Sequence, residues 1–284
     1  MKLLLSKPRG FCAGVERAIE TVEKALAIWG APIYVKHEIV HNKHVVDGLK
    51  NKGAIFIEDV NDVPEGARLI YSAHGVSPAV REMAQKRQLI EIDATCGLVT
   101  RVHSAVKRFA NLGYQIVLIG HHNHVEIIGT AGEAPSVTTI VESIEDVSRL
   151  NFTDDQKLFY ITTTTLSLDD VKEITEALIA KYPRIETLPS SSICYATTNR
   201  QMALREITDL TDLVLVVGDP QSSNSNRLRE LAANRGIASF LINDESEIDP
   251  NWMNGVKTIG LTAGASTPEG IVQDCIKKLI ALGV

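Results

Sequence analysis

Three segments spaced by about 90 residues constrain this chain more than any other feature. "FCAGVERA", "TCGLVTRV" and "ICYATTNRQ" each set a cysteine (Cys12, Cys96, Cys194) behind a short stretch of strand character and at the opening of a helical pattern. An arginine follows each, at Arg17, Arg101 and Arg200. His41, His124 and Ser222 stand 29, 28 and 28 residues past their cysteines, in polar clusters that end apolar runs: "EIVHN", "LIGHHNH" and "VVGDPQSSNSN". A third set of turns repeats as well: "YSAHGVSPAV", "ITTTTLSLDDV" and "LTAGASTPEGIV". Three features in register, three times over, read as one supersecondary unit repeated.

Apolar, β-branched runs alternate with helical patterns between these marks. "APIYVKHEIV", "ARLIYSA", "YQIVLIG", "KLFYITT", "DLVLVVG", "ASFLIN" and "VKTIGLTA" read as strands. "GVERAIETVEKALAIWG" and "NRLRELAANRG" read as helices closed by glycine. Strand–helix alternation predicts an α/β fold with mostly parallel sheets. The expected units are 14–96, 97–193 and 194–284, each ending in the strand that leads to the next cysteine. The third lacks such a strand, and the N-terminal segment 1–13 is expected to complete it. That would close the units into a pseudo-threefold, clover-like ring around a central cavity. Ligands of open parallel sheets sit beyond the carboxyl ends of the strands, and the repeated features all lie at such ends.

Charge and composition remove several function classes. A net charge of −6 argues against a nonspecific nucleic-acid binder. No apolar run approaches the roughly 20 residues of a membrane span, and the opening "MKLLLSKPRG" is too short for a signal peptide. The expectation is a cytoplasmic protein with neither nucleic-acid nor membrane partners. Four cysteines in 284 residues do not suggest a disulfide scaffold; metal or redox chemistry fits them better.

Three converging thiolates would form a metal site with one open position. Structural zinc takes four ligands, usually in close sequence pairs. An iron–sulfur cluster held by three cysteines would leave one iron free for substrate. Cys275 lies inside the last helical pattern and reads as packing or surface. The hydroxyl-, amide- and imidazole-rich turns suit phosphate, which also draws on the free N–H groups of helix starts. Neither GxxxxGK[ST] nor a clean GxGxxG is present, so no nucleotide fold is read. His124 and Glu126, two apart, would share a side in extended backbone. Glu126 precedes Ile127 and Ile128, and a desolvated carboxyl there would keep its proton near neutral pH. His37, His44, His103, His121 and His122 read as surface or structural residues. Two other readings remain open: a zinc-dependent phosphohydrolase using Cys12, Cys96, Cys194 and His124, and a non-catalytic diphosphate-binding or redox-sensing module.

"PRGFCAGV.RAI", "YV.HEIVHN", "SAHGVS", "DATC.LVT.VH", "ICYATTNRQ", "SSNSNRL" and "TAGAS.P" span essentially the whole chain. Together they resemble the 4-hydroxy-3-methylbut-2-enyl diphosphate reductase family of the non-mevalonate isoprenoid route. The resemblance implies one 4Fe–4S cluster held by Cys12, Cys96 and Cys194. It implies a diphosphate pocket of His41, His74, His124, Ser222, Ser223, Asn224 and Ser266, a proton-delivering Glu126, and Thr164 as the hydroxyl that orients the substrate alcohol. The implied reaction is reductive dehydroxylation to isopentenyl and dimethylallyl diphosphate, with a ferredoxin or flavodoxin as electron donor. Gly97 and Val125 stand where the family usually has proline, and Thr163 where it has glutamine. Those departures put loop rigidity and turnover rate in question rather than reaction type.

Overall fold

The computed structural model describes residues 1–190 and 192–284. In chain order the strands and helices are β1 (Lys2–Leu5), α1 (Ala13–Trp29), β2 (Ile33–Lys36), α2 (Lys43–Asn51), β3 (Ala54–Ile57), β4 (Arg68–Tyr71), α3 (Pro78–Lys86) and β5 (Ile90–Asp93). Then come α4 (Gly97–Asn111), β6 (Tyr114–Ile119), α5 (Val125–Ala131), β7 (Thr138–Val141), α6 (Ile144–Arg149), β8 (Lys157–Thr162) and α7 (Leu168–Lys181). The last part holds α8 (Tyr195–Thr208), β9 (Leu213–Val217), α9 (Ser223–Ala233), β10 (Ala238–Ile242), β11 (Thr258–Ala263) and α10 (Glu269–Ala281). By backbone contact the chain divides into two compact units. One comprises Met1–Glu16, Val40–Gly48 and Tyr195–Val284; the other comprises Arg17–Ile39 and Leu49–Cys194.

The first unit carries a parallel sheet in the order β10-β9-β11-β1. β9 explains why its sequence is apolar without alternation: both faces of the sheet are covered. Leu213, Leu215 and Val217 enter one core cluster with Val272, Cys275 and Leu279 of α10, while Val214 and Val216 enter another with Leu204 of α8 and Leu228 of α9. β1 lies along β11, Leu3 opposite Ile259 and Leu5 opposite Leu261, and both leucines pack on the α10 cluster.

The second unit carries two parallel sheets, β3-β2-β4-β5 and β7-β6-β8. β6 divides its side chains as β9 does, with Ile116 and Leu118 on one cluster and Val117 and Ile119 on the other. Edge strand, second strand, then third strand follow the same order in all three sheets. The fourth place is taken by β1, by β5 and, beside β8, by a single parallel bridge from Phe159 to Glu186.

Several expectations need adjustment. The strand expected over "APIYVKHEIV" stops at Lys36, because His37 turns to φ 60° and breaks the extended run. Among the described residues no full strand leads into Cys194; after Glu186 the "TLPS" stretch, with its proline, is irregular. β3 and β7, each of four residues and partly exposed, lie outside the runs expected as strands. α1 ends as expected, with Gly30 at φ 74°, whereas α9 is closed by Asn234 and its glycine, Gly236, comes two residues later. Among the described residues, no helix is long and apolar enough to cross a membrane.

Candidate functional site

Each repeated cysteine immediately precedes a helix: Cys12 before α1, Cys96 before α4 and Cys194 before α8. Each backbone N–H is donated to a carbonyl two residues past the end of the third-place strand. The pairs are Cys12 to Ala265 after β11 (3.1 Å), Cys96 to Ala73 after β4 (3.0 Å) and Cys194 to Thr164 after β8 (2.9 Å). One backbone device therefore positions all three, and it explains the register seen in the sequence. Among the described residues none of the four cysteines is in a disulfide, and these three are half-buried. Arg200 fixes the Cys12 loop from α8, with Nε donating to the Gly10 carbonyl (3.1 Å) and a terminal nitrogen to that of Phe11 (3.0 Å). Cys275 differs. It is buried in α10, and burial, with nearby Glu245, Asp244 and Asp274, pushes its thiol up to about 12.

The first unit gathers the hydroxyl and amide residues. Ser222 caps α9, its Oγ accepting the Ser225 N–H (3.4 Å). Ser223 opens the helix and Asn224 follows, buried at 3% exposure. Both side-chain polar atoms of Asn224 lack a hydrogen-bond partner among the described residues. A buried amide left so is costly unless a ligand or water satisfies it. Ser266 Oγ donates to the carbonyl of His41 (2.8 Å), tying the turn after β11 to the segment before α2; both residues are buried. Behind them Ser225 is wedged against Gly218 and Gly264, where an added Cβ would collide with its Oγ.

The second unit gathers His74, His124, Glu126 and Thr164. The His74 and His124 rings meet edge to face with centroids 6.2 Å apart. His74 Nδ1 lies 3.3 Å from Ser72 Oγ. Contrary to the extended backbone expected, His124 is the N-cap of α5 and Glu126 lies within that helix. The two are joined not by a shared strand face but by the Glu126 N–H donating to His124 Nδ1 (3.2 Å). Glu126 is 2% exposed. Its Oε1 accepts the Thr164 N–H (2.8 Å) and its Oε2 lies 3.0 Å from Thr164 Oγ1. Burial raises the carboxyl above the usual range; the two Thr164 contacts and the charge of His103 oppose that rise in part.

Two of the three departures fall at tolerant places. Gly97 and Val125 are the first residues of α4 and α5, where proline is favoured but not required, because the N–H there has no helical partner anyway. Thr163 is buried, and its Oγ1 would lie 2.9 Å from a Cβ at Gly120. Sequence reasoning missed Arg200 as a loop clamp, the Ser225–Gly218–Gly264 contact, and the burial of His103. The arginine register was the available signal for the first; the other two depend on contacts distant in sequence.

Comparison with known proteins identifies the family of this chain. Residues 3–280 match the family described as LytB protein. A 4-hydroxy-3-methylbut-2-enyl diphosphate reductase of Protochlamydia amoebophila is 84% identical over 284 residues, covering 100% of this chain and 91% of the relative. One of Chlamydia pneumoniae is 63% identical over 281 residues, covering 99% and 91%. A solved structure of the E-1-hydroxy-2-methyl-but-2-enyl-4-diphosphate reductase from Plasmodium falciparum superposes with a TM-score of 0.96 at 54% identity, over 97% of this chain and 87% of that one. A solved (E)-4-hydroxy-3-methyl-but-2-enyl diphosphate reductase, the terminal enzyme of the non-mevalonate pathway, gives 0.69 at 30% identity, over 99% and 100%. On a match of this length and identity, the chain is a member of the LytB protein family.

Proposed function

We propose that this protein reduces (E)-4-hydroxy-3-methylbut-2-enyl diphosphate to isopentenyl and dimethylallyl diphosphate, releasing the hydroxyl as water. The observation that carries the reading is the buried Glu126 carboxyl, held by both the N–H and the hydroxyl of Thr164, in a chain 84% identical to a reductase of that name. The reaction consumes two electrons and two protons.

The proposed ligands of one 4Fe–4S cluster are Cys12, Cys96 and Cys194. The donor set suits it: three half-buried cysteines outside any disulfide, each at a helix start whose N–H groups a sulfur-rich anion can use. When bound, such a cluster supplies electrons and a Lewis-acidic iron. This chain's residues do the rest. His41, His74, His124, Ser222, Ser223, Asn224 and Ser266 hold the diphosphate, the Asn224 Nδ2, unpartnered among the described residues, donating to a phosphate oxygen. Thr164 Oγ orients the substrate alcohol. Glu126 keeps its proton because it is dry, and yields it as negative charge develops on the departing oxygen. A ferredoxin or flavodoxin in the cytoplasm is the proposed electron source. We also take the chain as three repeats, 14–96, 97–193 and 194–284 with 1–13, on the strength of the shared strand order and cysteine hydrogen bond.

Anaerobically purified protein is expected to contain iron and acid-labile sulfide and to reduce the allylic diphosphate. Cys12→Ser, Cys96→Ser and Cys194→Ser should each lose cluster and activity, while Cys275→Ser keeps both. Iron-free protein after anaerobic reconstitution, or equal loss from Cys275→Ser, would overturn the assignment.

A further inference from the structure

Asp219 follows β9 and is buried at 9% exposure. It opens the turn "DPQS", with aspartate in first place and proline in second, the residue types that such a turn favours. The turn closes through the Ser222 N–H, which donates to the Asp219 carbonyl (2.9 Å). Asp219 Oδ1 accepts the Gln221 N–H (2.8 Å) and reinforces the turn from its side chain. Asn226, in the first turn of α9, braces it from the other side, its Nδ2 donating to the carbonyls of Pro220 (2.6 Å) and Ser222 (3.0 Å). This turn delivers the chain to Ser222, Ser223 and Asn224, whose buried amide is unpartnered among the described residues.

The second carboxylate oxygen reaches beyond the turn. Asp219 Oδ2 accepts the backbone N–H of Lys43 (3.1 Å), 176 positions away. Lys43 is the first residue of α2, so its N–H has no carbonyl to meet within the helix. Asn42 caps the same helix start from within, its Oδ1 accepting the Val45 N–H (3.1 Å). A carboxylate at that place also faces the positive end of the helix. Two residues before Lys43, the His41 carbonyl accepts a hydrogen bond from Ser266 Oγ (2.8 Å). His41 therefore sits between two anchors, Ser266 before it and Asp219 after it, both distant in sequence. All of these residues belong to the first compact unit.

We propose that Asp219 is a positioning residue for the diphosphate pocket: one carboxylate holds the helix start behind His41 and the turn that presents Ser222, Ser223 and Asn224 at a fixed separation. The proposal rests on the reading of those residues as the groups that hold the diphosphate. A pocket whose donors are in place beforehand loses less freedom when the anion arrives, so the contribution is to affinity. Glu126 and Thr164 lie outside this set of contacts, and proton delivery does not draw on it.

The test uses reconstituted enzyme with Asp219→Ala and, as the milder change, Asp219→Asn. Asparagine has a single acceptor oxygen and can keep one of the two side-chain bonds, whereas alanine keeps neither. KM for the allylic diphosphate should rise about tenfold in Asp219→Ala and by less in Asp219→Asn, with kcat within about twofold of wild type in both. Affinity for inorganic diphosphate, measured by calorimetry, should fall in the same order. Backbone hydrogen exchange over residues 41–46 should quicken in Asp219→Ala, because the Lys43 N–H is released. A lowered melting temperature with KM and diphosphate affinity unmoved would make Asp219 a structural residue only and overturn the proposal. A fall in kcat at constant KM, or unmoved exchange over residues 41–46, would overturn it as well. Should the wild-type enzyme bind diphosphate but prove inactive as a reductase, the proposed reaction fails on its own, and the diphosphate affinities still decide the role of Asp219.

Discussion

Glu126 shows how one residue trades stability for chemistry. Its carboxyl is buried, and burial disfavours the charged form more than the two Thr164 contacts favour it. Below the ordinary carboxylate range, folded and unfolded chains both carry the proton and folding costs nothing extra. As pH rises past that range the unfolded chain ionises first, so stability drains away until the folded carboxyl titrates too. Glu126→Gln keeps an oxygen for the Thr164 N–H and removes the ionisation. Its melting temperature should match wild type in acid and exceed it at neutral pH, while reductase turnover is lost. Equal melting curves at every pH, or undiminished turnover, would contradict this account. The sequence signalled the residue through the neighbouring apolar pair, but not its means of support, because Thr164 lies 38 positions away.

At the scale of elements, the turns after β9 and β11 depend on close approach to α9. Gly218 and Gly264 leave room for Ser225, which anchors the first turn of α9 beneath Asn224. Gly264→Ala should destabilise the protein by about 2 kcal/mol through overpacking. Ser225→Ala should relieve most of that, because the Cβ of Ser225 stands 3.3 Å from the added methyl. The same change should rescue Gly218→Ala only in part, since there the Cβ itself stands at 2.8 Å. Denaturant titration of the two double variants separates the cases, and equal rescue would contradict the packing described. "SSNSN" was legible as a helix start because hydroxyl and amide side chains cap helices. Which serine caps and which wedges was not, because that depends on the glycines opposite.

For the whole molecule, the notable connection is that of β1. The first strand completes a sheet whose other strands come from the last third of the chain, and Leu3 and Leu5 share a cluster with Leu279 of α10. Deleting Met1–Leu5 should cost about 3 kcal/mol from the lost apolar contacts. A circular permutant that returns the same five residues after Val284 through a flexible linker should recover most of it, because the strand pairs with β11 from either direction of supply. Permutant and deletion melting together would show that β1 contributes little to the sheet.

The sequence alone determined the strand–helix alternation, the threefold register of cysteines and the chemical character of the turns. All of these are periodic or local, and side-chain type along a few residues is enough to express them. Tertiary structure decided what no local pattern encodes. It shortened β2 at His37, placed Glu126 on a helix instead of a strand, buried His103 against two glycines and left the Asn224 amide without a partner among the described residues. Each outcome depends on atoms brought close by the packing of distant segments, where desolvation and steric contact outweigh local preference.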